Sequence, residues 1–191
     1  MDFKKQSNGM KAVETKLQGA WVFEIDQYND DRGYFSVPFN LKRFREVTDF
    51  HADFFQDNLS CSKKNVLRGL HYQIKKPQGK LVRVLKGSVQ DVIVDLRQSS
   101  KTFGKHFSIT LTDKNNLCLW SPPGFAHGFL SLEDDTQFFY KVTNEYSPEN
   151  ERTLLWNDPD LGIEWKIDGE PFLSPKDAEG KELKTCDKYA R

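Results

Sequence analysis

The chain reads as mainly β, a jelly-roll type of β-sandwich with a few short helices. Short apolar segments recur along it with Gly- and Pro-containing turns between them, and helical periodicity is confined to one short stretch. Aromatic residues make up 13% of the chain, 15 of them Phe, and such rings fill the space between two packed sheets. At 191 residues without a composition shift, residues 1–191 are expected to form one domain around one core.

From the N-terminus, residues 1–11 are polar and charged and lack the apolar core of a secretory signal, so they are expected to be a flexible lead-in. Strands are predicted over residues 20–27, 83–86, 88–97, 105–112, 117–121, 128–132 and 137–143. The strand over 88–97 sorts Val89, Asp91, Ile93 and Asp95 to one face and Gln90, Val92, Val94 and Leu96 to the other. A face with two carboxylates opposite an apolar one implies a polar cavity or a wet outer side. Residues 41–50 carry Leu41, Phe44, Val47 and Phe50 on one side of a short amphipathic helix. Ser174-Pro-Lys-Asp177 has the form of a helix start, with Ser174 as cap, Pro175 in the first position and Asp177 in the third. A helix within residues 173–191 is therefore expected to pack on the sandwich.

Lys+Arg and Asp+Glu both number 28, a net charge of zero, which argues against a broad footprint for nucleic acid or an anionic membrane. No apolar run approaches the roughly 20 residues of a spanning helix. Cys61, Cys118 and Cys186 are far apart and form no CxxC pair, which fits reduced thiols in a cytoplasmic protein.

Chemistry concentrates in Arg68-Gly-Leu-His-Tyr-Gln73 and the following Gln78-Gly-Lys80. If the intervening residues fold back as a hairpin, a guanidinium, an imidazole and an ammonium face one cavity. That set suits an anionic substrate, with Arg68 for phosphate, His71 as base and Lys80 for a developing oxyanion. The plainer alternative is a half-exposed hairpin with solvated basic residues.

Nine blocks extend this pattern: Asp31-Arg-Gly-Tyr-Phe35, Phe55-Gln-Asp-Asn58, Arg68 to Gln73, Gln78 to Arg83, Asp91 to Arg97, Pro123-Gly-Phe-Ala-His-Gly-Phe129, Phe139-Tyr-Lys141, Trp156-Asn-Asp-Pro159 and Leu173 to Asp177. In this order and spacing the chain resembles the dTDP-4-dehydrorhamnose 3,5-epimerases, cupin-fold enzymes of deoxysugar-nucleotide biosynthesis. The resemblance implies epimerisation at C3 and C5 of dTDP-4-dehydro-6-deoxy-D-glucose, on the route to dTDP-L-rhamnose. Inverting a carbon beside a ketone needs a base on one face, an acid on the other and a stabiliser for the enolate oxygen, so no metal or other cofactor is implied.

By the same resemblance His71 is the proton acceptor, Tyr140 the proton donor and Lys80 the group near the C4 oxygen, with His127 a second pocket histidine. Asp177 is implied as the partner of His71, although a helix start favours an acid there for capping alone, and Asp91 and Asp95 are substitute partners. The resemblance carries over Arg32, Gln56, Asn58, Arg68, Tyr146, Glu151 and Lys176 as substrate-binding residues, with Tyr146 stacking on the base. Gln56 and Asn58, two apart, would share a face if they lie on a strand. A homodimer with exchanged N-terminal strands is implied, which would bring Arg32 to the neighbouring site. One departure is Val37, where the family commonly has a substrate-contacting Glu, and a lesser one is the compact loop over residues 74–78.

Three rivals remain. A metal-dependent cupin usually has His-x-His, whereas Gln73 stands two beyond His71. A non-catalytic sugar-nucleotide-binding sandwich has no use for His71 and Tyr140 together. A single-site 3- or 5-epimerase of another 4-keto-6-deoxy sugar nucleotide would use the same residues.

Overall fold

Period-two patterning sorts the chain into two facing sheets, seen in a computed structural model that describes residues 5–7 and 10–190. In chain order the strands are β1 (Lys5–Ser7), β2 (Met10–Glu14), β3 (Trp21–Ile25), β4 (Gln27–Asp30), β5 (Gly33–Ser36), β6 (Gln56–Ser62) and β7 (Leu67–Gln73). They continue as β8 (Lys80–Lys86), β9 (Ser88–Asp95), β10 (His106–Thr112), β11 (Leu117–Ser121), β12 (Phe125–Ser131), β13 (Thr136–Val142) and β14 (Glu151–Thr153). One sheet has seven strands in the order β1-β2-β3-β11-β8-β13-β6, the other five in the order β10-β9-β12-β7-β14, and β4 and β5 form a separate hairpin. Successive strands thus pass repeatedly from sheet to sheet, as in the expected mainly β, cupin-like sandwich.

Val22, Val82, Val84, Leu119 and Phe138 of the larger sheet meet Val89, Ile93, Leu111, Phe125 and Phe129 of the smaller one in the central core. The outer face of the larger sheet, with Trp21, Phe23, Leu81 and Trp120, is covered by helix α1 (Leu41–Thr48) through Phe44 and Val47. The Phe44 ring meets Trp120 edge-on at 4.8 Å. Asn40 caps α1 by accepting from the Arg43 N–H at 3.2 Å, and left-handed Asp49 ends it at Thr48. The helix is therefore two residues shorter than expected, yet Phe50 still packs on Trp120 at 4.9 Å.

Several expectations need correction. Part of the lead-in is ordered strand: β1 pairs with β2, and Met10 and Ala12 alternate into the protein, while residues 1–4 and 8–9 lie outside the described residues. The C-terminal helix is only the four-residue α2 (Pro175–Ala178). Ser174 and Pro175 start it as expected, but the rest of the segment follows the sheet as irregular chain, and its Leu183, Cys186 and Tyr189 join Leu154 and Leu161 in covering Leu70, Val92, Val94 and Leu96. That cover also leaves β9 without a wet side; every one of its residues is buried. Finally, the segment from Arg68 to Lys80 is not a hairpin, because β7 belongs to the smaller sheet and β8 to the larger. Among the described residues no helix is long and apolar enough to cross a membrane.

Candidate active site

Arg68 and His71 are three apart, so regular alternation would send them to opposite faces of β7. A bulge prevents this. Arg68 pairs with Phe129 and His71 with His127, so Gly69 and Leu70 together oppose the single residue Gly128 of β12. Arg68, His71 and His127 consequently line one cavity. Gly69 has φ +106°, and a Cβ there would stand 2.6 Å from the His127 carbonyl oxygen and 2.8 Å from Gly128 Cα. Only glycine fits this close approach without displacing backbone.

Asp177 arrives from α2 against the same bulge. Its Oδ1 accepts from His71 Nε2 at 2.5 Å and from the Gly69 N–H at 3.1 Å, while Oδ2 accepts from the Ser174 hydroxyl at 2.7 Å. Burial pushes the Asp177 carboxyl up, but these hydrogen bonds outweigh it and hold the group below the usual carboxylate range. Burial lowers His71 from its ordinary value, with Asp177 opposing the shift. The pair at neutral pH is thus a carboxylate beside a neutral imidazole whose Nε2 donates to it, so the lone pair of the ring sits on Nδ1. Asp177 combines capping with the histidine contact; its own N–H donates to Ser174 Oγ at 3.2 Å.

A second pair lies alongside. His127 Nε2 is 2.9 Å from Asp91 Oδ2, and both residues are buried. Burial raises Asp91, opposed by His127 and Lys80. Asp91 therefore serves His127 and not His71, and Asp95 is occupied by Arg97, Ser100 and Thr102. Neither substitute partner reaches the first histidine.

Across the cavity, Lys80 begins β8 with its Nζ 3.4 Å from the His71 carbonyl oxygen. Burial depresses it to about 8. Tyr140 projects inward from β13, and burial raises its phenol, with Arg68 opposing and Glu151 reinforcing. His71, Lys80 and Tyr140 line two adjoining lobes of about 280 and 240 Å³. Arg68 and Lys176 stand in the larger lobe, and Gln56, Asn58, Tyr146 and Glu151 in the smaller. Gln56 and Asn58 do share a face of β6, the Gln56 amide donating to Asn58 Oδ1 at 2.6 Å. Arg32 lies elsewhere, at the exposed turn between β4 and β5, with its side chain 89% exposed and paired to Asp30 at 2.6 Å.

A sequence profile of the dTDP-4-dehydrorhamnose 3,5-epimerases matches residues 14–185. The chain belongs to this epimerase family. It is 45% identical over 178 residues to the dTDP-4-dehydrorhamnose 3,5-epimerase of Pseudomonas aeruginosa, covering 93% of this chain and 98% of that one. A dTDP-6-deoxy-D-glucose-3,5-epimerase of Legionella pneumophila, crystallised with dTDP-4-keto-L-rhamnose, superposes with a TM-score of 0.91 at 44% identity, covering 93% of this chain and 95% of that one. A 3'-monoepimerase of Streptomyces bikiniensis, crystallised with dTDP-quinovose, matches at a TM-score of 0.83 and 34% identity, covering 90% and 87%.

For this member of the 3,5-epimerase family, eleven of the twelve residues singled out from the sequence gather at the cavity, and Arg32 is the exception. Sequence reasoning missed Asp91 as the partner of His127 and Ser174 as a hydrogen-bond donor to Asp177. For Asp91 the signal was there, since it alternates with Val89 and Ile93 toward the core. In this epimerase Gly69→Ala is expected to cost about 1–3 kcal/mol in strain and to disturb the His71–Asp177 pair. Chemical denaturation measures the first effect and turnover of the folded fraction the second. A variant as stable and active as the parent would refute the role given to the bulge.

Proposed function

We propose that the chain inverts C3 and C5 of dTDP-4-dehydro-6-deoxy-D-glucose to give dTDP-4-dehydro-β-L-rhamnose by acid–base catalysis through enolates, without a cofactor. The observation that carries this reading is the convergence on one cavity of a neutral imidazole tied to a carboxylate, a buried ammonium and a protonated phenol. In a chair of the gluco configuration the hydrogens on C3 and C5 are both axial on one face. A single base on that face serves both carbons in succession. His71 takes the proton, Lys80 stabilises the charge that develops on the C4 oxygen, and Tyr140 protonates the carbon from the other side. His71 then returns its proton to solvent, and the Tyr140 phenolate, a strong base in its buried setting, recovers one.

Arg68 and Lys176 suit the diphosphate, with Gln56, Asn58 and Tyr146 receiving the thymidine. Arg68 is steadied by Ser62, whose hydroxyl accepts from its Nε at 3.2 Å. Incubation of substrate in D₂O, followed by NMR, tests the reaction. Deuterium at both carbons is expected; label at one only would make the enzyme a single-site relative like the S. bikiniensis 3'-monoepimerase, and label at neither would overturn the substrate. Dialysis against a chelator is expected to leave the rate unchanged, and a loss restored by metal would favour the metal-dependent reading.

The same reading makes the working unit a cytoplasmic homodimer with exchanged N-terminal strands, in which Arg32 enters the neighbouring site. It is supported by the β4–β5 hairpin, where Tyr28, Tyr34 and Phe35 are 55%, 63% and 67% exposed, an apolar surface suited to a second copy. Sedimentation with parallel activity assays checks it. A fully active monomer would sink the arrangement.

A further inference from the structure

Glu151 opens β14 opposite Gln73 of β7, and both of its carboxylate oxygens are engaged by other side chains. Oε1 pairs with Lys176 Nζ at 2.7 Å, and Oε2 accepts from the Tyr146 hydroxyl at 2.7 Å. Lys176 immediately precedes Asp177 in α2, and Asp177 holds His71. One carboxylate therefore links the aromatic of the smaller lobe to the helix that carries the histidine's partner. We propose that Glu151 is a positioning residue: by holding Tyr146 and neutralising Lys176 it sets the geometry and charge in which Lys80 and His71 work. This goes beyond a role in substrate binding. Each carboxylate oxygen keeps a second lone pair, so this role stands beside any contact of Glu151 to the substrate.

The charges around Lys80 give the proposal its test. Three charged side chains on different elements act on it electrostatically: Glu151 of β14, Asp91 of β9 and Lys176 of α2. Lys176 lines the larger lobe with Lys80, and Glu151 the smaller. Tyr140 faces the same space from β13, and the backbone carbonyl of His71 on β7 accepts from the ammonium. Burial sets the low affinity of Lys80 for its proton; Glu151 and then Asp91 oppose it, and Lys176 adds to it. Asp91 is already paired with His127, and Asp177 with His71. Glu151 is the carboxylate that offsets Lys176. Removing its charge releases the Lys176 ammonium and makes Lys80 lose its proton at lower pH.

The inference rests on Lys80 acting as an ammonium in the proposed reaction, so the experiment has two readouts. The first is the alkaline limb of kcat/KM against pH. The second is the titration of Lys80 itself, followed by competitive acetylation with acetic anhydride and mass spectrometry, which does not depend on turnover. In Glu151→Gln both are expected to move to lower pH by about 1 unit, the size of effect a nearby charge exerts on a buried group. Lys176→Met is expected to move both the other way, and the double variant to return them near the parent. Glu151→Asp keeps the charge and is expected to keep the parent titration. If Glu151→Gln leaves the labelling titration unchanged, or Glu151→Asp shifts it equally, the proposal falls. If the labelling titration shifts and the kinetic limb does not, Glu151 retains its influence on Lys80 and the role of Lys80 in the reaction is what fails.

Discussion

His71→Asn is expected to lose deuterium uptake at both C3 and C5 in D₂O, with turnover reduced by about 10²–10⁴-fold. Asparagine keeps a polar group in the cavity but supplies no base, and both carbons depend on the one histidine. Asp177→Asn tests the same pair from the other side. It keeps the shape of the carboxyl while removing the charge that opposes the depression of His71 by burial. His71 then becomes a weaker base, and because it is already neutral near pH 7, raising the pH gives no recovery. A variant that recovers at high pH would show that protonation of His71, and not its basicity, limits the reaction. Label persisting at either carbon in His71→Asn would require a second base, and His127, held by Asp91, is the group to replace next.

Much of the fold was legible because local chemistry and burial agree. The strands over 88–97 and 117–121 show their alternation or their apolar run, and α1 shows both its buried stripe and, at Ser174, its smaller counterpart shows its cap. What stayed hidden depends on partners far along the chain. β6 and β7 read poorly as strands because their inward positions are polar: Gln56, Asn58 and Ser60 on one, His71 and Gln73 on the other. Those are the residues that make a wet cavity where a core would otherwise be. The inward turn of both Arg68 and His71 depends on the unequal pairing of β7 with β12, a relation between strands that no single segment encodes. Likewise Asp177 lies 106 residues from His71, so only the resemblance joined them, and the capping role open to an acid at a helix start kept Asp91 and Asp95 as substitute partners. The C-terminal segment has little periodicity because it packs on a sheet as irregular chain, with the Tyr189 hydroxyl donating to the Gln73 carbonyl at 2.5 Å.

Tyr140→Phe separates proton removal from inversion, and here the expected result is qualitative as well as large. The phenol is lost while the ring, packed against Phe138 with centroids 5.9 Å apart, keeps its volume. His71 and Asp177 are untouched, so C–H bonds on the histidine's face still break. With no donor opposite, the enolate is reprotonated by His71 from the face it left. Where the imidazolium has exchanged with solvent first, recovered substrate gains deuterium with its configuration retained. Formation of inverted product is expected to fall by about 10²–10⁴-fold, while label continues to enter the substrate pool. NMR reads both in one spectrum, since coupling constants report configuration and the missing proton signals report label. Inversion at an undiminished rate would remove Tyr140 from the reaction and point to water as the acid. Loss of label together with inversion would mean that the phenol is needed before the proton leaves, for seating the sugar or for polarising its ketone.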